Sequence, residues 1–206
     1  MTIGARFARV ATGLVVRRPA LWRLFRAPMR RQFERLAPRW DDLRSADHLA
    51  SFEAALDLLP GTPRRVLDLG TGTGAAALAM ASRWPESELV GVDVSEAMLA
   101  AARGKLAPPF AGRVSFVAAD AAALPFEDAS FDLVTLANMI PFFDELARVL
   151  APGGHMVFAS SVGPQTPIYV PPERLRAELE QRGFAGFREL SAGSGTAFLA
   201  RKAEPR

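Results

Sequence analysis

From residue 64 onward, short β-branched and apolar runs alternate with stretches in which alanine and leucine recur every three or four positions. RVLDL (65–69) reads as a strand and AALAMASRW (76–84) as a helix. ELVGVD (88–93) reads as a second strand, followed by a helix, SEAMLAAARGKL (95–106), capped by Ser95. RVSFVAAD (113–120) and FDLVTLA (131–137) read as the third and fourth strands. A shorter helix, FFDELARVL (142–150), is expected to stop at a Pro152-Gly153-Gly154 turn, and HMVFASSV (155–162) reads as the fifth strand. PPERLRAELEQRGF (171–184) opens on prolines, which the first turn of a helix tolerates, and closes at Gly183. FREL (187–190) and TAFLARK (196–202) form a last pair around a Gly/Ser turn too short for a crossover helix, so they should run antiparallel. The pattern predicts an α/β, doubly wound domain, a mostly parallel sheet with helices on both faces.

The first 60 residues follow another rhythm. LWRLFRAPMRRQFERLAPRW (21–40) sets Leu21, Phe25, Met29, Phe33, Leu36 and Trp40 at steps of three or four, with arginines between them. This is a basic amphipathic helical region, and Pro28 and Pro38 are expected to kink or divide it. DHLASFEAALDLLP (47–60) reads as a second helix ending at Pro60-Gly61. The chain therefore divides into a helical extension, residues 1–46, and a ligand-binding domain, residues 47–206.

Charge sharpens that division. The 206-residue chain carries a net charge of +3, yet its first 45 residues hold 11 arginines against three acids, so the remaining body is mildly acidic. Three roles fit the basic leader: a lid folded onto the core, a contact with an anionic membrane surface, or a nucleic-acid contact. The lid fits best, peripheral membrane contact comes second, and nucleic acid is not expected because no RNA-binding module is visible. The absence of cysteine excludes a disulfide framework, a thiolate zinc site and a cysteine nucleophile, and accords with a cytoplasmic setting. The apolar run from Val10 to Val16 is too short for a membrane span. No metal site is expected.

The strongest local signal is VLDLGTGTG, residues 66–74. A strand that ends in Gly70, Gly72 and Gly74 and passes into a helix is a bend at which backbone can approach a ligand. Asp93 ends the second strand 23 residues after Gly70, near the spacing at which an acid accepts hydrogen bonds from a ribose. Asp120 ends the third strand and Asp68 precedes the first glycine. A parallel sheet brings all three carboxylates to one edge. A pyrophosphate would want donors there and few acids. The collected carboxylates suit instead a ligand with a cationic end, hydroxyls and an amine-bearing ring, as in S-adenosylmethionine (SAM).

VLDLGTGTG, GVDVSEAML, AADAAALPFEDASFDLV and ARVLAPGG together resemble the motifs of the class I SAM-dependent methyltransferases, of the small-molecule kind, over about residues 48–202. The resemblance implies a Rossmann-like sheet of seven strands with the last antiparallel, and SAM as the cofactor. It places Asp68, Gly70, Thr71, Gly72 and Gly74 around the methionine part. Asp93 would bind the ribose diol, with Val94 and Met98 near the adenine. Asp120 would accept from the adenine amino group, Ala121 would offer a backbone N–H, and Ala137 and Asn138 would line the methyl end. FERLAPRWDDL (33–43) is similar to the segment ahead of the core in quinone and other small-molecule methyltransferases, where an aromatic-Asp pair helps close over SAM. Trp40 stands where tyrosine is commoner, and either meets the sulfonium with its π face or only staples the leader to the body.

Two departures bear on the acceptor. Only TLANMIPFFDEL separates FDLV from ARVL, so the lip of the acceptor pocket is shortened and the family's frequent paired histidines are missing. ANMIPF also differs from the Asn-Pro-Pro-aromatic motif of amine and amide methylators. The expected activity is therefore methyl transfer to a small, lipophilic acceptor, with a non-catalytic SAM-binding module and a nucleotide-binding oxidoreductase as the alternatives. His48, His155 and Tyr169 are the groups considered for proton transfer, and none of them is assigned as the catalytic base.

Overall fold

A computed structural model describes residues 3–204. Seven strands form one sheet: β1 (Arg65–Leu69), β2 (Glu88–Asp93), β3 (Val114–Ala118), β4 (Phe131–Ala137), β5 (Leu150–Ser160), β6 (Phe184–Ala192) and β7 (Gly195–Lys202). Their spatial order is β3-β2-β1-β4-β5-β7-β6, and only β7 runs antiparallel to its neighbours. The doubly wound sheet expected from the pattern is the observed one. The order reverses between β1 and β4, which opens the crevice beyond their carboxyl ends.

Strand alternation sorts the core into two clusters. Leu67, Leu69, Val134, Leu136, Met156 and Phe158 face one side, while Val66, Leu133, Val157 and Ala159 face the other. Helices α3 (Ala50–Leu56), α4 (Ala75–Arg83) and α5 (Glu96–Arg103) cover the second side, and α6 (Phe143–Val149) and α7 (Pro172–Glu180) the first.

The leader forms two helices, α1 (Ile3–Arg17) and α2 (Trp22–Leu36). Their inward side chains Ala8, Val15, Val16, Trp22 and Met29 join the same apolar cluster as Phe158 and Leu175. Two readings of the sequence change. Pro28 does not divide α2, which runs through it. Pro28 and Leu24 both lie on the exposed side, so water can reach the Leu24 carbonyl that loses its helical partner. Residues 152–154 are not a turn closing a helix: α6 ends at Val149, and Pro152, Gly153 and Gly154 lie within β5 at a register shift against β4. Gly153 takes a φ of +76°, which lets the strand absorb the irregularity.

Gly91 in β2 is required by packing. A Cβ there would lie 2.6 Å from Phe116 and 2.8 Å from the Thr71 hydroxyl. Gly91→Ala is expected to cost about 1–3 kcal/mol of stability through overpacking, read as a lowered thermal midpoint. An unchanged midpoint would show that the Phe116 ring moves aside freely.

Candidate cofactor site at the carboxyl edge of the sheet

β1 delivers Asp68 fully buried, and the chain turns at once through Gly70 with φ +67°. A Cβ on Gly70 would stand 2.7 Å from Met139 Sδ, so Met139 closes one side of the bend. A Cβ on Gly72 would lie 3.5 Å from Trp40 Nε1 and 3.6 Å from a terminal nitrogen of Arg44. The segment ahead of the core therefore lies across the glycine loop. It is stitched there by Asp41, whose Oδ1 accepts from the Thr73 hydroxyl at 2.6 Å and whose Oδ2 pairs with Lys105.

Three buried polar atoms in this region have no partner among the described residues: Asp68 Oδ2, Thr71 Oγ1 and Trp40 Nε1. Buried polar groups are normally satisfied, and leaving one unpaired costs about 1–3 kcal/mol. Asp68 Oδ1 accepts from the Thr135 hydroxyl at 2.8 Å. Burial pushes the Asp68 pKa up to about 6; the Thr71 and Thr135 hydroxyls oppose the shift, Asp93 adds to it, and Arg44 opposes it. The Thr71 hydroxyl is near enough to act on the carboxylate without an aligned hydrogen bond. Arg44 is a cation beside the glycine loop, with its guanidinium 5.6 Å from the centre of the Trp40 ring and 3.5 Å from Asp41. Burial lowers its pKa against the attraction of Asp41 and Asp68.

Asp93 sits at the end of β2, where its Oδ2 accepts from Gly72 N at 3.0 Å and its Oδ1 from Ser95 N at 2.8 Å. Burial raises its pKa, and these backbone bonds oppose the rise. Ser95 caps α5 by accepting from Met98 N, which leaves Val94 half-buried and the Met98 side chain buried beside the loop. Asp93 thus anchors the glycine loop to the start of α5.

Asp120 reaches the same edge but is shared with the leader. Its Oδ1 accepts from Trp22 Nε1 at 2.8 Å and from Ala122 N at 3.0 Å, and its Oδ2 accepts from Arg26 at 3.0 Å. A carboxylate offers about four acceptor positions, so one remains. The neighbouring Ala121 is buried. Ala137 ends β4, and Asn138 follows with φ +55°. Asn138 ties β4 to β5, its backbone N–H donating to Ala159 O and its Oδ1 accepting from Ser161 N, both at 2.9 Å. Beyond Ser160 a cavity of about 340 Å³ opens, with Phe158, Val170, Leu175 and Phe198 in its walls and Tyr169 and Glu189 among its polar groups.

The two histidines separate. His155 is paired with Leu133 and Arg201, toward the opposite edge of the sheet. His48 lies one turn ahead of α3, next to Asp47, which accepts from Ser194 in the β6–β7 hairpin. His48 Nδ1 is 2.7 Å from the Ser45 carbonyl, so Nδ1 carries a proton and donates it. Nε2 is buried without a partner.

The three acids and three glycines named from the sequence thus meet at one edge. Asp41 is the acid of the aromatic-Asp pair expected beside Trp40; Arg44, Thr135 and Met139 were not foreseen, nor was the engagement of Asp120 by Trp22 and Arg26. Arg44 and Asp41 lie in or just after the FERLAPRWDDL stretch, where the aromatic-Asp pair was the available signal.

Residues 66–154 match the family model described as a methyltransferase domain. A demethylmenaquinone methyltransferase of Thermus thermophilus is 46% identical over 140 residues, covering 61% of this chain and 62% of the relative. A ubiquinone/menaquinone biosynthesis C-methyltransferase of Geobacter sulfurreducens is 37% identical over 158 residues, covering 68% and 60%. The matches thus span about three-fifths of these relatives' own length. Among solved structures, a SAM-dependent methyltransferase of Aquifex aeolicus superposes with a TM-score of 0.67 at 20% identity, covering 80% of this chain and 97% of that one. A putative methyltransferase in complex with the Trm112 activator of Haloferax volcanii gives 0.71 at 20% identity, covering 84% and 98%. At that identity the likeness is one of fold.

Proposed function

We propose, on the premise that this chain belongs through residues 66–154 and the sheet around them to the class I SAM-dependent methyltransferase family, that it transfers a methyl group from SAM to a small lipophilic acceptor of the quinone type. The observation that carries the reading is the unpaired set around the glycine loop: a carboxylate oxygen, Asp68 Oδ2, and an N–H donor, Trp40 Nε1, with the Arg44 cation over the loop. An amino-acid end, with one ammonium and one carboxylate, satisfies an acceptor and donors set in this way.

When bound, SAM supplies a methyl group already activated by its sulfonium. The chain's own residues position and desolvate. Asp68 Oδ2 would accept from the ammonium, and Trp40 and Arg44 would donate to the carboxylate. Asp93 would accept from the ribose hydroxyls while holding Gly72 in place. Asp120 would use its remaining acceptor position for the adenine amino group, with Val94, Met98 and Ala121 as apolar neighbours of the ring. Ala137 and Asn138 line the methyl end, and the cavity beyond Ser160 takes the acceptor. Residues 1–46 serve as a lid on residues 47–206. Among the described residues no helix is long and apolar enough to cross a membrane.

Calorimetric titration with SAM, followed by transfer of labelled methyl to demethylated quinols, tests the proposal. Binding is expected, with label entering the lipid-extractable product. Binding without transfer to such acceptors would reduce the chain to a SAM-binding module, and no binding would overturn the site.

A further inference from the structure

Residues 3–33 contain eight arginines and no acid. Their apolar stripe faces the core, which accounts for Val15, Val16, Trp22 and Met29. It does not account for a second stripe on the opposite side of α1. Ile3 is 89% exposed, Val10 59% and Leu14 41%, and these three share one helical face with exposed Arg6 and Arg17. Arg18, at the end of the helix, and Arg23, at the start of α2, are also exposed. Among the described residues none of Arg6, Arg17, Arg18 and Arg23 has a carboxylate within ion-pair distance, although the rest of the molecule is rich in Arg–acid pairs.

We infer that this outer face of α1 docks on an anionic lipid bilayer, with Ile3, Val10 and Leu14 entering the interface and the arginines lying among the headgroups. The charge selects an anionic partner, since unpaired arginines with no interspersed acid are attracted to phosphate. The apolar residues select lipid over nucleic acid. Against a phosphodiester backbone they would stay in water, and the leader's aromatic rings Phe7, Trp22 and Phe25 pack against the core and offer no stacking surface. The same charge opposes a second copy of the chain, because two such faces would repel. Docking does not require the leader to leave the core: Trp22 and Arg26 hold α2 to Asp120, and Arg9 donates to the carbonyls of Pro164 and Thr166 on the chain leading to Tyr169 and Val170 of the cavity. The inference rests on the lipophilic-acceptor reading for its purpose, since such an acceptor would be drawn from the bilayer.

Flotation of the full chain with phosphatidylglycerol-containing vesicles, and with phosphatidylcholine vesicles alone, tests it. Binding to the anionic vesicles only is expected, weakened by salt. Partitioning should fall by about tenfold or more in Val10→Ser/Leu14→Ser and, separately, in Arg17→Gln/Arg18→Gln. All four positions are exposed, so the variants should fold, and circular dichroism and SAM calorimetry on each keep a folding loss or a failed donor site distinct from a failed membrane contact. No flotation with anionic vesicles would overturn the inference. So would flotation unchanged in the serine variant, a dimer that the serine variant dissolves, or tighter binding to an oligonucleotide than to the vesicles.

Discussion

Asp93→Ala is expected to weaken SAM binding by roughly tenfold to a hundredfold, the loss of about 1.5–3 kcal/mol that attends removal of a charged hydrogen-bond acceptor. The effect has two sources. One is the ribose acceptor itself. The other is the loop, because Asp93 accepts from both Gly72 N and Ser95 N and so holds the bend against the start of α5. Asp93→Asn separates them: its one oxygen can retain a backbone bond, while its amide nitrogen faces the other N–H. Calorimetry gives the affinity and thermal unfolding of the ligand-free chain gives the anchoring contribution. A lowered midpoint with unchanged affinity would leave Asp93 as a loop anchor and remove it from the binding site.

The second large effect is a pH dependence with opposite signs for binding and for stability. The Asp68 pKa stands at about 6 against an ordinary 3.8, because burial penalises its ionised form. Between those values the folded chain holds a proton that the unfolded chain has released. Stability of the ligand-free protein should therefore fall as pH rises from about 4 to about 6 and level off above, by up to roughly 3 kcal/mol at 1.36 kcal/mol per unit. Affinity for SAM should move the other way. The ammonium needs the ionised carboxylate, so binding strengthens with pH up to about 6 and weakens by about tenfold per unit below it. Asp93, also shifted upward, contributes in the same direction. Asp68→Asn should bind weakly at all pH and lose most of the slope. Isotherms that superimpose from pH 7 to pH 5 for the wild-type chain would exclude ionised Asp68 as the ammonium's partner.

How far the site was legible depended on which forces place each residue. The strands that deliver Asp68 and Asp93, and the strand β3 that ends at Ala118 two residues before Asp120, could be read because apolar runs of that length, separated by helical periods, leave a parallel sheet as the arrangement that buries them. Once the strands are parallel, their carboxyl ends must align. The glycine bend was legible for the same local reason, since Gly70, Gly72 and Gly74 all adopt positive φ. Within the helical extension, the bounds of α1 and the face it buries were not legible. Its inward residues Ala8, Ala11, Val15 and Val16 alternate with outward Val10 and Leu14, which blurs the apolar stripe that marks an amphipathic helix. The Pro-Gly-Gly run was misread because a turn and a bulge use the same residues, and only pairing with β4 decides between them.

Local pattern by itself determined the sheet, its order of helices and strands, the glycine bend and the acidic edge, because each follows from periodicity or backbone freedom within a few residues. Tertiary structure alone decided which charges meet. That Arg44 lies over Gly72, that Trp22 and Arg26 bind Asp120, and that Asp68 keeps an unpaired oxygen depend on a leader folding back across residues far away in the chain. Such contacts carry no period and no fixed spacing, so their energies appear only once the separate segments are brought together.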